Sequence, residues 1–585
     1  MKIKVQLSIL VFMMIGILLS CARGGSQVDS SVIKEVSSPR LFPSTFTPRG
    51  TNASDYRDKI NWFENNFIQF FTSKGEAHKI LGYETPVKVR TAQNDSVALQ
   101  NSFITWGEQH GESRSMNRYF DVYKRAFNIE VSYSLVSAEY DTALRLSMAA
   151  NDLPDIFRVG SPSELAEMAR AGVIHDLTPY RTKYASEIVE ELWGISPVIE
   201  TATFDGKLYG LPQTWPATDS ISYLWIRGDW LQALNLEIPK TFNELINVMD
   251  AFMNSGFNKS GLESIGLALR DNMFITTRGL FAGFRAYPEY WIEKNGSLIW
   301  GGLDENNKKA LTFLNDLYRR GYIDKEFITN NTTRMCEALV NGRCGIAYMP
   351  HWYISNVVAL PENDPDADFW VIPLITEDGK PAISPITTTV NGYTVVNSKF
   401  PYPEIAFKMF NLFEFNSRHR DGTWWGFNAP GNGVNVNELT SFARLYSPWI
   451  NYDGYESLRE SYEAGWDLSY INAAGGLWYG PLQDPSTKWS WDRMANPAHP
   501  YSAFRQLKAI VEEGRYFYNP YNGLPSDYMQ DRWTSITQQQ LSIFTKIITG
   551  DLGIDEGFNE WVRIFNSMGG AGITQEVNEW YKNNR

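Results

Sequence analysis

The chain runs to 585 residues, 43% hydrophobic and 20% charged, an ordinary globular balance with room for more than one core. A formal net charge of −13 argues against nucleic acid or an anionic membrane surface as a partner. Aromatic residues reach 14%, with 20 Trp and 30 Tyr, more tryptophan than packing needs and suited to clefts that are apolar but wet.

Lys2 and Lys4 stand before an apolar run over residues 7–19 that ends in Leu18-Leu19-Ser20-Cys21. A basic start, an apolar middle and a small residue before the cut make residues 1–20 a secretory signal, too short for a comfortable membrane span. Residues 21–50, rich in Ser, Pro and Gly, read as a tether. Ile60, Phe63, Phe67, Phe70 and Phe71 fall at helical spacing, so residues 51–85 read as a helical extension.

Residues 87–91 form a candidate first strand, and the polar stretch 94–113 carries Trp106, which either reaches a cleft or packs. A helix is predicted over 114–127, with Met116, Tyr119, Phe120, Tyr123 and Phe127 on one face. Ile129, Val131, Tyr133 and Leu135 alternate as a strand, a helix follows over 140–150, and Leu153-Pro154-Asp155-Ile156-Phe157 opens another strand. Ser161-Pro162-Ser163-Glu164 and Thr241-Phe242-Asn243-Glu244 are capping boxes that start helices. Residues 207–212 and 221–226 read as strands around a polar segment holding Trp215, with a short helix over 229–236. Helices over 304–320 and 403–415, and a glycine-flanked strand over 342–350 ending in His351-Trp352-Tyr353, continue the alternation. Residues 421–437 and 448–499, rich in Gly, Asn and Trp, read as irregular, and residues 543–582 as closing helices. Alternating strands and helices argue an α/β architecture with a largely parallel sheet.

Catalytic signatures are missing from the sequence. There is no G-x-S-x-G elbow, no H-E-x-x-H, no C-x-x-C and no phosphate loop, since Gly569-Gly570-Ala571-Gly572 lacks the following Lys-Ser/Thr. The carboxylate pairs Asp152/Asp155, Glu190/Glu191 and Asp364/Asp366 read as turn, cap or solvated-face residues rather than a glycosidase pair. Cys336 and Cys344 have no His partners for a metal. They could form one disulfide in an oxidising compartment, a point the sequence leaves open.

The segment GKLYGLP at 206–212, then LWIRGDWL at 224–231, then Pro239-Lys240-Thr241, closely resembles the extracellular solute-binding proteins of ABC transporters, in the branch that binds oligosaccharides. LPDI at 153–156, GVIHDLT at 172–178, GYID at 321–324 and the terminal pattern Ile547…Gly550, Phe558…Trp561, Gly569-Gly570 and Glu576…Asn578 extend the match in order. The chain is thereby identified as similar to family 1 lipoproteins of the alginate- and aldouronate-binding type. The resemblance implies an α/β, two-lobe periplasmic-binding-protein fold (type II), with a hinge and an interlobe cleft. Its lobes would be discontinuous, 86–215 with 384–440 and 216–383 with 441–585. The calcium loop of the family corresponds to residues 255–264, where Phe257 and Lys259 fall among the ligand positions and only Glu263 is acidic, so no calcium site is expected. Leu-x-Ser-Cys resembles a lipobox, which would make Cys21 the lipidated first residue of a mature protein anchored to the cell membrane on its extracytoplasmic side.

What remains is binding. A saccharide offers apolar C–H faces and a rim of hydroxyls, matched by aromatic platforms and planar polar groups. Trp106, Gln213, Trp215, Asp219, His351, Trp352, Tyr393, Trp424, Trp425, Asn428, Trp489 and Trp491 are the expected ligand contacts, and a core role competes for each Trp. Trp225 and Trp230 lie in elements with core spacing and are assigned to packing, and Arg227 to a structural pair. The expected function is capture of a carbohydrate for an ABC permease by a monomeric protein without cofactor, metal or nucleic acid. A secreted carbohydrate-active enzyme and a ligand-sensing partner of a membrane kinase are the alternatives.

Overall fold

The computed structural model describes residues 33–46, 53–94, 113–195, 198–387, 390–417, 443–523 and 525–584. Cys21, Trp106, Trp424, Trp425 and Asn428 lie outside the described residues, as do the signal segment and the loop over 421–437.

Strands in chain order are β1 (Val87–Asn94), β2 (Ile129–Ser137), β3 (Ile156–Val159), the hairpin β4 (Thr203–Phe204) and β5 (Lys207–Leu208), β6 (Leu211–Thr214) and β7 (Ser222–Arg227). A second hairpin, β8 (Trp291–Lys294) and β9 (Ser297–Trp300), precedes β10 (Ile346–Pro350), β11 (Phe369–Ile372), β12 (Ser384–Ile386), β13 (Val390–Val396) and β14 (Tyr516–Tyr518). The first sheet has the order β2-β1-β3-β13-β6 and the second the order β10-β7-β11. In the first sheet β1 is parallel to β2 and β3, while β13 runs antiparallel to β3 and β6. The second sheet is wholly antiparallel, so the expectation of a largely parallel sheet holds only for the first three strands.

Each sheet has its own core. The first gathers residues from Ile60 to Leu211 and again from Tyr393 to Leu445. The helix Ala53–Ser73 belongs to this core rather than standing apart as an extension. Its rings Phe63, Phe67 and Phe70 surround Phe415, on the helix Glu404–Ser417, at 5.9, 5.2 and 5.4 Å between centroids. Nor is all of 21–50 a loose tether, since residues 33–46 are docked on this lobe by backbone bonds such as Val36 N to Gly82 O at 2.9 Å.

In the second sheet β7 is buried along its whole length, and its alternation divides two cores. Leu224 and Ile226 pack with Ile346, Tyr348 and Ile372 on one face. Tyr223 and Trp225 pack with Ala347, Met349, Phe369 and Val371 on the other. Trp225 is fully buried and Trp230 nearly so, as their spacing predicts.

Several boundaries differ from the sequence reading. The strand read over 207–212 is two, because Asp205 and Gly206 at φ 50° and 73° close a tight hairpin before the chain enters the sheet at Leu211. The helix read from 114 starts at Arg118, where the buried Asn117 side chain accepts from Tyr119 N and Phe120 N at 3.1 Å. The stretch read as irregular over 448–499 folds into the helices Ile450–Glu463, Ala473–Gln483 and Lys488–Ala495. Gly454, Gly475 and Pro481 hide that periodicity, but the glycines are packing devices. A Cβ at Gly454 would lie 2.5 Å from Trp478 Nε1, and one at Gly475 would lie 2.1 Å from Ser457 Oγ. The return to the first sheet, placed at 384, comes at Val390, since β12 pairs instead with β14.

Candidate functional site

Three segments join the lobes. The first, residues 215–221, runs from β6 to β7, the second leaves β12 at Thr387 for β13, and the third, residues 443–449, precedes the helix Ile450–Glu463. Hydrogen bonds lay them side by side. Thr214 N donates to Arg444 O at 3.2 Å, Ala217 N to Pro448 O at 3.0 Å, and Thr387 N to Ser220 Oγ at 3.2 Å.

Asp219 sits at the centre of this junction. Its carboxyl accepts from Asn451 Nδ2 at 2.7 Å, and the same amide reaches Thr218 Oγ1 at 2.9 Å. His351 Nε2 lies 3.5 Å from Asp219 Oδ1, and Trp352 Nε1 donates to Asp219 O at 3.2 Å. His351 and Trp352 get there because β10 pairs with β7 so that Pro350 faces Ser222, which ends both strands at the junction. Burial pushes the Asp219 carboxyl up to about 7, against the opposing pull of the Asn451 bond. Burial likewise pushes His351 down to about 3, and its Nδ1 is buried with no partner. Trp352 is the exposed member, 43% accessible, with its ring 4.3 Å from that of Tyr353.

Trp215, on the same first segment, lies 5.8 Å from the ring of Tyr446 with Arg444 Cζ 5.4 Å above it. Its indole N–H is buried without a partner. Arg278 completes the floor from the opposite side. It donates to Ser220 O at 3.1 Å and pairs with Glu289 at 2.9 Å. Trp449, Tyr516 and Tyr518 add half-buried rings beside the second and third segments, Trp449 lying 5.0 Å from Tyr516. Aromatic faces beside amide, carboxylate and guanidinium groups, at the line where two lobes meet, suit a polyhydroxylated ligand.

The structure thus brings Trp215, Asp219, His351 and Trp352 together, and it places four other expected contacts elsewhere. Gln213 is buried and donates Nε2 to Thr394 Oγ1 at 3.0 Å, tying β6 to β13. Tyr393 faces the first core, so close to Gly210 that a Cβ there would lie 2.9 Å from it. Trp489 donates to Ala367 O at 3.0 Å, two residues before Phe369 pairs with Arg227, and so lies at the far end of the second sheet. Trp491 stacks on Trp478 at 5.2 Å within the helical layer over that sheet. Arg278, Trp449, Asn451, Tyr516 and Tyr518 adjoin the junction as further candidates that the sequence reading missed. The alternating Tyr516-Phe517-Tyr518 was the available signal for the last two.

Groups outside the junction are accounted for structurally. Arg227 is buried and paired with Asp229 and Asp364, both at 2.5 Å, beside a cavity of about 270 Å³ at the end of β7 remote from the junction. Asp152 and Asp155 are held by Arg90, and Glu190 by Arg181 at 2.6 Å. Cys336 and Cys344 are both free and buried. In the 255–264 loop Asn258 Oδ1 accepts from Ser260 N and Oγ, closing the loop on itself. Among the described residues no three His, Cys, Asp or Glu side chains gather as metal ligands.

Two lobes with separate cores, joined by three adjacent segments over a polar and aromatic floor, define a two-lobe binding protein of the type II periplasmic class. Residues 107–414 match the family described as bacterial extracellular solute-binding protein, and the chain belongs to it. The polygalacturonan/rhamnogalacturonan-binding protein YtcQ of Bacillus subtilis (strain 168) is 28% identical over 274 residues, covering 46% of this chain and 52% of YtcQ. The chain thus spans about half the length of that relative. Lipoprotein LipO of the same organism is 21% identical over 457 residues, 77% of this chain and 85% of LipO. A solved HMO-binding, ABC-transporter-associated solute-binding protein from Bifidobacterium longum infantis shares the fold with a TM-score of 0.58 at 14% identity, covering 85% of this chain and 99% of that one.

Proposed function

We propose that this chain captures an oligosaccharide between its lobes and hands it, unaltered, to the permease of an ABC importer. The reading is carried by one observation: Asp219, Trp352 and Asn451 converge where the three interlobe segments run side by side, with Arg278 and Trp449 beside them. A ligand held there contacts both lobes and favours the closed arrangement, which a permease can then distinguish from the open one. Membership of a solute-binding family supports binding over catalysis. So does the engagement by arginines of Asp152, Asp155 and Glu190, carboxylates weighed above for a glycosidase pair. The names of YtcQ and of the HMO-binding structure favour a carbohydrate as the ligand class. Acylation at Cys21 would anchor the protein on the extracytoplasmic side of the membrane, working as a monomer. The mature protein, screened by thermal shift against a glycan panel, is expected to melt higher with its ligand, because a ligand that binds only the folded state stabilises it. No shift with any glycan, or glycans recovered cleaved, would overturn the proposal.

A further inference from the structure

Residues 33–46 are held on the first lobe by more than chance contact. Glu35 and Tyr83 form an antiparallel bridge, flanked by Val36 N to Gly82 O at 2.9 Å and Glu84 N to Lys34 O at 3.0 Å. Farther along, Phe42 N donates to Arg125 O at 2.9 Å, and the Phe42 ring is buried over Gly82. A Cβ at Gly82 would come within 2.2 Å of that ring, so the glycine makes the seat. The lock is Lys408. Its side chain is fully buried in the helix Glu404–Ser417 and pairs with Glu35 Oε1 at 2.5 Å, its Nζ lying 4.5 Å from the ring of Tyr83. Its Nζ also donates to Leu81 O, and Glu35 is the carboxylate paired with it, because a buried charge left without a counter-charge is costly. The partner it uses belongs to the segment that leads towards the amino terminus.

We propose that residues 33–46 are a strap that fixes the membrane tether to the first lobe, so that this lobe is held at the lipid surface and the second lobe is the one free to swing. This inference rests on lipid anchoring at Cys21. Eleven residues, 22–32, separate Cys21 from Ile33, a reach of at most about 40 Å. Without the strap, residues 33–46 would add about as much again and let either lobe approach the bilayer.

The test couples a maleimide lipid to Cys21 of the chain that begins there, the other two cysteines being buried. The protein is bound to phosphatidylcholine vesicles carrying an acceptor dye. A donor dye is placed by p-azidophenylalanine at the exposed Ser73 of the first lobe or the exposed Asn254 of the second. Stronger transfer from position 73 than from 254 is expected. Replacing residues 33–46 by a Gly/Ser segment of equal length should bring the two efficiencies together, and the paired change Glu35→Leu with Lys408→Met, which keeps the seat apolar, should not. Equal transfer from both lobes in the unaltered chain would overturn the strap, as would asymmetry that survives its replacement. Rapid hydrogen exchange at the amides of Val36 and Phe42 would overturn it as well, and that measurement still applies if the replacement fails to fold. Because the lipid is added chemically, these outcomes are independent of whether cells acylate Cys21, which the mass of the membrane-extracted protein reports.

Discussion

Replacing Asp219 by Asn should change how stability depends on pH, with a sign set by the junction. In the folded protein burial holds the Asp219 carboxyl near 7 instead of the ordinary 3.8. Between about pH 4 and 7 the fold therefore keeps a proton that the unfolded chain has lost, and stability falls as pH rises through that window. A shift of roughly three units sets a ceiling of about 4 kcal/mol. The side chain is still 32% accessible, so solvent screening reduces the expected effect to about 1–2 kcal/mol. His351 works in the opposite direction. Its folded value of about 3 means that stability is lost as pH falls below the ordinary 6.5, so the two slopes partly cancel in the unaltered protein. Asp219→Asn removes one of them. The variant should gain stability relative to the unaltered chain between pH 4 and 7.5, and its own curve should rise with pH under the influence of His351. Urea unfolding followed by tryptophan fluorescence, at matched pH values for both proteins, measures the difference. Parallel curves across pH 4–7.5 would refute the claim that partial burial raises this carboxyl in the folded protein.

Trp352→Ala should weaken glycan binding about 5- to 30-fold, roughly 1–2 kcal/mol of lost ring contact, while leaving the fold intact because the ring is 43% exposed; calorimetric titration separates the two effects. Trp489→Ala should do the reverse. Its indole bonds to Ala367 and carries Arg493 over its face, so about 2–3 kcal/mol of stability should go with glycan affinity unchanged, as urea unfolding and titration will report. In a chain beginning after Cys21, Cys336 and Cys344 should resist thiol reagents at pH 8, since burial pushes both thiols up to about 12. Both should react at once in denaturant, and fast native labelling would contradict their burial.

Many of the elements and part of the packing were legible in the sequence. Alternation marked β2, an apolar aromatic run marked β7, and helical spacing marked the phenylalanines that now surround Phe415; the capping box at Thr241 closed as read, with Thr241 Oγ1 accepting from Glu244 N at 3.2 Å, whereas Ser161 caps its helix without the reciprocal backbone bond. These features depend on neighbours a few residues apart, which a one-dimensional string records. Ordered motifs also pointed to the fold, because each occupies a fixed place in the chain. Which tryptophans meet at the junction was decided only in three dimensions. Trp352 and Trp489 each stand near another aromatic in the string, yet the register of β10 on β7 carries the first to the junction, while the second, on a helix bonded to Ala367, lies at the opposite end of the same sheet. Asn451 and Trp449 were hidden in a stretch whose glycines suppress helical periodicity, although those glycines are what let its helices pack closely. The same holds for Glu35 and Lys408. They stand 373 residues apart, and only the closing of the first lobe around the return helix turns a tether residue and a helix lysine into a buried pair.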